Sequence, residues 1–162
     1  MPGVQVFTDL LIWQRARAWS KAIFPHTQRP PFTSDRRLVE QLNDSSESVM
    51  SNIAEGFGRG TQGEFITFLG YALGSLNETQ SHLCAAHDRG YLERDVYAAL
   101  FQEGTEIRRM TVSFIRQMVM PGSGVKNVKK IKPWMQEVWE RYEHLTGQQR
   151  PEFFRQHTNK QT

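Results

Sequence analysis

Cysteine is nearly absent. Cys84 stands alone, so no internal disulfide framework holds this chain together, and a reduced compartment suits it. Strand signals are missing too: no segment shows period-two alternation, and without a strand no glycine-rich phosphate loop of the strand–loop–helix kind can form. No apolar run approaches the ~20 residues of a membrane span. Met1-Pro2-Gly3-Val4 lacks the basic flank and apolar block of a signal peptide, so the expected location is the cytoplasm, with no membrane partner. Acidic residues become scarce late in the chain. Residues 1–120 carry 12 Lys and Arg against 13 Asp and Glu, a net of −1, whereas residues 121–162 carry 8 against 4, a net of +4. Attraction to nucleic acid is therefore expected to concentrate in the tail.

What is present is helical periodicity. The chain's 162 residues suit one domain with a short appendage. The organising stretch is Ser51-Asn52-Ile53-Ala54-Glu55-Gly56-Phe57-Gly58-Arg59, followed by Thr61-Gln62-Gly63-Glu64. Val39, Leu42, Ser46, Val49, Ile53 and Gly56 run into it at three- and four-residue steps, one buried seam of a helix starting near Ser34-Asp35. Gly56, Gly58 and Gly60 suit a helix stop and a sharp reversal. Thr61 with Glu64 reads as a capping box that starts the next helix. The two helices must fold back on each other.

Before this hairpin, a first helix is expected from Thr8 or Asp9 to about Phe24, with Ile12, Ala16, Trp19 and Ile23 buried and Pro25 ending it. Arg15, Arg17 and Lys21 lie off that stripe, as a solvated face that is also the bundle's candidate nucleic-acid surface. Ser45, Ser46, Ser48, Ser51 and Asn52 form a small polar band in the second helix. It reads either as hydroxyls bonded back to the preceding turn or as a polar layer fixing register.

The third helix, from Gln62 to about Arg89, has its seam at Phe65, Leu69, Ala72, Leu76, Thr79, Leu83 and Ala86. Gly70 and Gly74 suggest close approach by another backbone, and Gly90 is a well-placed residue just past the helix end. A fourth helix, Glu93 to Met120, uses Leu100, Gly104, Ile107, Thr111, Phe114 and Met118. The expected fold is all-α: an up-down-up-down antiparallel four-helix bundle over 1–120, with an additional short C-terminal amphipathic helix. Residues 121–132 are a Gly/Ser and Lys-rich linker containing Lys126, Lys129, Lys130 and Lys132. Residues 133–162 hold the amphipathic helix and a tail; Trp134, Val138, Trp139 and Tyr142 are its candidate partner-docking face.

The chemistry of an enzyme is thin here. A di-iron bundle needs Glu-x-x-His pairs on facing helices, but Glu78 and His82 are four apart, without a second copy. Cys84 and His87 share a helix, yet a metal site needs two further ligands. They read as a packed thiol and a surface or interface imidazole. Arg150 and His157 have a spacing seen in helical ribonucleases, but no pre-organised pocket goes with it. No cofactor, metal or catalytic residue is expected.

Several motifs in order resemble the four-helix-bundle proteins encoded in ribosomal-RNA intervening sequences. These are Asp9-Leu10-Leu11-Ile12-Trp13-Gln14-Arg15-Ala16, the Ser51–Arg59 turn, Glu64-Phe65-Ile66-Thr67-Phe68-Leu69, Gly74-Ser75-Leu76-Asn77-Glu78 and Gly90-Tyr91-Leu92. The accessory variability protein of diversity-generating retroelements is a more distant relative. The resemblance implies a barrel-like homopentamer of four-helix protomers. By analogy with the retroelement relative, it implies RNA or DNA as a partner, or a reverse transcriptase. Within the shared turn, Asn52, Glu55, Gly56 and Arg59 are expected to hold the turn or a subunit contact. Asn43-Asp44 stands where that family usually has arginines, and Met50 where it often has proline, which shifts expected nucleic-acid contact to the tail lysines. The functional expectation is a non-enzymatic, homo-oligomeric, nucleic-acid-binding scaffold. The alternatives are an adaptor docking a partner such as a reverse transcriptase, and a metal-dependent helical-bundle enzyme.

Overall fold

The computed structural model describes residues 4–119. The expected linker, C-terminal helix and tail lie outside the described residues. Four long helices carry the described chain: α1 (Leu11–Thr27), α2 (Arg36–Gly58), α3 (Gln62–Asp88) and α4 (Arg94–Val119). Short 3₁₀ turns at Phe7–Asp9 and Phe32–Ser34 precede α1 and α2. Among the described residues there is no strand, and no helix is long and apolar enough to cross a membrane.

The periodic seams become the core of a helix bundle. Ile12, Ala16, Trp19 and Ile23 of α1 are buried, as are all seven seam residues of α3. Each fully buried Leu or Ile contributes about 1.5–3 kcal/mol. In α2 the seam begins at Leu38, a full turn before Leu42, while Val39 is only half-buried. In α4, Phe114 is half-buried and its ring meets Phe65 edge-on at 5.7 Å. Cross-helix contacts give the arrangement. Ser20 meets Ser46 and Asn43 meets Thr27; Ser75 meets Ser48 and Thr79 meets Ser45. Gln80 meets Phe101, and Arg15 meets Glu103. Between α1 and α2, and between α2 and α3, the numbers rise along one helix as they fall along the other.

The ends differ from expectation in instructive ways. Thr8 and Asp9 do not cap α1; Asp9 is used up in the 3₁₀ turn, and buried Leu10 takes the N-cap position without a side-chain hydrogen bond. Pro25 does not stop α1 either. It sits in the last turn, where its missing N–H costs one intrahelical bond, and the helix runs on to Thr27. The Thr27 hydroxyl then donates to the Phe24 carbonyl at 2.8 Å, satisfying one of the terminal acceptors. Asp35 caps α2 by accepting the Leu38 amide. Past α3, Gly90 is left-handed (φ 76°) and its amide donates to His87 O while that of Tyr91 donates to Ala86 O, a full Schellman stop.

Candidate functional site

The α2–α3 turn gathers the residues that the motif singles out. Gly60 takes the left-handed conformation (φ 74°) that the reversal requires. Gly56 has a different job from the one its place in the motif suggests. It stays inside α2, and a Cβ built there would lie 2.6 Å from the Phe68 Cβ and 3.3 Å from the Phe65 carbonyl oxygen. Gly56 is thus where α2 and α3 touch backbone to side-chain root. Gly58 has open space around it. Thr61 accepts the Glu64 amide at 3.3 Å, while its hydroxyl donates to the Glu64 carboxylate at 2.8 Å, so the box closes on the hydroxyl rather than on the Thr61 amide.

Arg59 ties the turn together from outside. Its guanidinium pairs with Glu55 at 2.5 Å and lies 5.0 Å from the centre of the Phe68 ring, so one side chain touches the end of α2 and the start of α3. The Glu55 hydrogen bond, then its charge, raise the Arg59 pKa. Asn52 acts one turn earlier than the reversal: its amide donates to the Ser48 carbonyl at 2.9 Å and to the Ser48 hydroxyl at 3.2 Å. That hydroxyl also accepts from Ser75 at 3.1 Å, and Thr79 lies 3.0 Å from Ser45. The serine band therefore does both things open to it. Ser45 and Ser46 bond back to Leu42 and Asn43, and the same hydroxyls reach across to α3 and α1.

The α1 basic residues are dispersed rather than focused. Arg15 makes a two-pronged pair with Glu103, both contacts at 2.7 Å, joining α1 to α4; that hydrogen bond and charge raise its pKa. Arg17 lies 5.6 Å from the Trp13 ring centre, and Lys21 is exposed. Asn43 donates to Thr27 at 3.0 Å and so anchors α2 to the end of α1.

Neither pair weighed for metal chemistry assembles a ligand set. Cys84 Sγ lies 3.4 Å from the Tyr97 hydroxyl, a contact that raises the tyrosine's pKa ahead of the effect of burial. His87 stacks on Tyr97 at 4.5 Å and donates from Nδ1 to the Leu92 carbonyl at 2.9 Å. His82 Nε2 is 3.5 Å from Glu78, too far for a good hydrogen bond. Among the described residues no cluster of three or more His, Cys, Asp or Glu could hold a metal ion. Lys126, Lys129, Lys130 and Lys132, with Trp134, Val138, Trp139 and Tyr142, lie outside the described residues.

One surface was not foreseen. A groove of about 810 Å³ opens between the start of α1 and the second half of α4. Leu10, Leu11, Met110 and Phe114 supply apolar lining, and Arg108, Arg109 and Arg116 line it as well. A signal for it was in the sequence: from Ile107 to Gln136 there is no Asp or Glu, against seven Lys and Arg. The basic run thus begins on α4, well before the tail.

Family comparison agrees with the motifs. The family described as 23S rRNA-intervening sequence protein matches residues 8–113, most of the chain and nearly all of the four helices. The chain belongs to that family. Among solved structures, this intervening-sequence protein is similar to a protein of unknown function from the S23 ribosomal protein family of Bacteroides thetaiotaomicron. The TM-score is 0.60 at 21% identity, over 65% of this chain and 96% of that one. That likeness speaks to fold. No curated protein matches the chain significantly. The family match ends before the basic run is complete, so the shared part is the bundle and the lysine segment lies beyond it.

Proposed function

We propose that this intervening-sequence protein is a non-enzymatic, homo-oligomeric scaffold that binds RNA or DNA through its basic C-terminal segment, in the cytoplasm. The observation that carries this reading is the charge division: −1 over residues 1–120 and +4 over residues 121–162. Lys126, Lys129, Lys130 and Lys132 are the contact residues, acting on phosphates without sequence preference. Assembly, a homopentamer by the family resemblance, would multiply a weak contact per protomer into useful avidity. Membership of a family described by a 23S rRNA insertion makes RNA the first probe to use.

The test is affinity against salt together with mass in solution. Binding that weakens steeply with salt, and falls when the four lysines become Gln, supports the reading. A monomer with no affinity for RNA or DNA at low ionic strength ends it. A second reading rests on the aromatic spacing of Trp134, Val138, Trp139 and Tyr142: the segment docks a protein partner such as a reverse transcriptase. Pull-down with and without residues 133–147 separates the two, since an unchanged partner set leaves the adaptor idea without support.

A further inference from the structure

The α1–α4 groove joins two features among the described residues: arginines without a carboxylate partner and exposed apolar surface. Arg108 and Arg116 both line it, and neither has a hydrogen bond or carboxylate partner among the described residues. They are two turns apart on α4, about 12 Å along the axis. Arg109 shares its charge with Glu106, which also accepts from Gln102. Leu11 is 59% exposed in the same groove, an apolar side chain left in water beside the arginines. Met110 and Phe114 are only half-buried there.

We infer that this groove binds single-stranded nucleic acid, with Arg108 and Arg116 on backbone phosphates and the Leu11–Met110–Phe114 surface against an unpaired base. Charge complementarity selects a polyanion. The apolar patch selects a single strand, because a duplex keeps its base faces stacked inside and cannot offer one to Leu11. A duplex would meet only the arginines. The inference rests on the nucleic-acid reading above and deepens it, moving part of the contact from the tail onto the folded bundle. Asp9 and Glu106 line the groove too; Asp9 has no side-chain partner among the described residues and opposes the ligand. Its removal should therefore help.

The experiment uses the full chain and fluorescence polarisation with an oligo(U) of about 20 nucleotides, long enough for a single-strand site, against a hairpin duplex of equal length. The R108Q/R116Q variant should bind oligo(U) at least about fivefold more weakly at ~50 mM salt. Its log affinity against log salt should lose about 1.4 in slope, roughly 0.7 for each phosphate released. Leu11→Ser should weaken oligo(U) and leave that slope unchanged. Asp9→Asn should tighten binding. All these positions are exposed, so unchanged thermal melting checks that the bundle is intact.

An R108Q/R116Q variant within twofold of wild type, or equal affinity of wild type for duplex and oligo(U), overturns the groove. If binding is then abolished by replacing the four tail lysines with Gln, the broader nucleic-acid reading survives alone. If wild type binds neither probe, both fall.

Discussion

The α2–α3 and α1–α4 contacts solve the same packing problem in opposite ways. Between α2 and α3, small and polar residues are interleaved with the apolar seam: Gly56 under Phe68, Ser45 beside Thr79, Ser48 beside Ser75. Short hydroxyls let two backbones come close and still find partners across the seam. Between α1 and α4 one large ring does the work. Trp19 is buried against Gly104, where an added Cβ would sit 2.7 Å from its ring, and its indole N–H donates to the Leu100 carbonyl at 2.8 Å. Arg15 and Glu103 close the contact one turn away. Beyond them, toward the start of α1, the same pair of helices borders an open groove. Small residues let a seam stay close at several points; a seam built on one bulky wedge can be tight at the wedge and open elsewhere.

The sharpest way to break this contrast is Trp19→Ala. Loss of a buried ring together with its hydrogen bond should cost about 3–5 kcal/mol, read by denaturant unfolding. A loss no larger than that of a surface substitution would mean that Trp19 is not the wedge. Next come Gly56→Ala and Gly104→Ala. Each new methyl meets a group that cannot swing aside, the root of Phe68 or the buried ring of Trp19, and should cost about 1–3 kcal/mol despite alanine's better helix propensity.

Thr79→Val tests the polar side of the comparison. It removes the hydroxyl between Ser75 and Ser45 and should cost about 1 kcal/mol; a neutral result would make close approach, not hydrogen bonding, the basis of the α2–α3 seam. Gly70→Ala and Gly74→Ala should have the opposite sign. Both glycines are exposed with nothing within 4 Å, so the close approach expected there is not made among the described residues. Each substitution should stabilise by up to about 1 kcal/mol. A fall in oligomer mass instead would show that these glycines face a second copy.

The smallest effect belongs to the end of the bundle away from the groove, where Asp35 pairs with Arg89 at 2.6 Å and Phe32 stacks on Tyr91. The Arg89 hydrogen bond holds the Asp35 pKa below the usual carboxylate value. The folded state therefore prefers the ionised form. Its contribution is complete above the unfolded pKa and is lost as pH falls through the lower folded one. Wild type should lose slightly more stability on acidification than Asp35→Asn; parallel curves would remove the pair from the account.

Much of this was readable from residue order. The 3–4 spacing of α3 placed seven of its eight buried residues, missing only Gln80, and Gly90 and Asp35 marked helix boundaries, because seams and caps are local chemistry. Pro25 and the start of α1 were misread for the same reason: a residue's effect on a helix end depends on which turn it occupies, and Thr8 and Asp9 precede a 3₁₀ turn that pattern alone does not reveal. Arg15 read as part of a solvated face, and Asn43 only as a departure from the family's arginines. Only their partners, Glu103 and Thr27, show them to be ties between helices.

By itself, then, the sequence determined four amphipathic helices, their buried stripes and a chain whose positive charge gathers late. Tertiary structure decided which glycines are squeezed and which lie open, where the serines reach, and that α1 and α4 leave a groove lined by arginines. The physical reason is range. Periodicity and capping are set by residues within a turn or two, while interhelical distance is set by side chains far apart in the chain, such as Trp19 and Gly104, that meet only once the bundle closes.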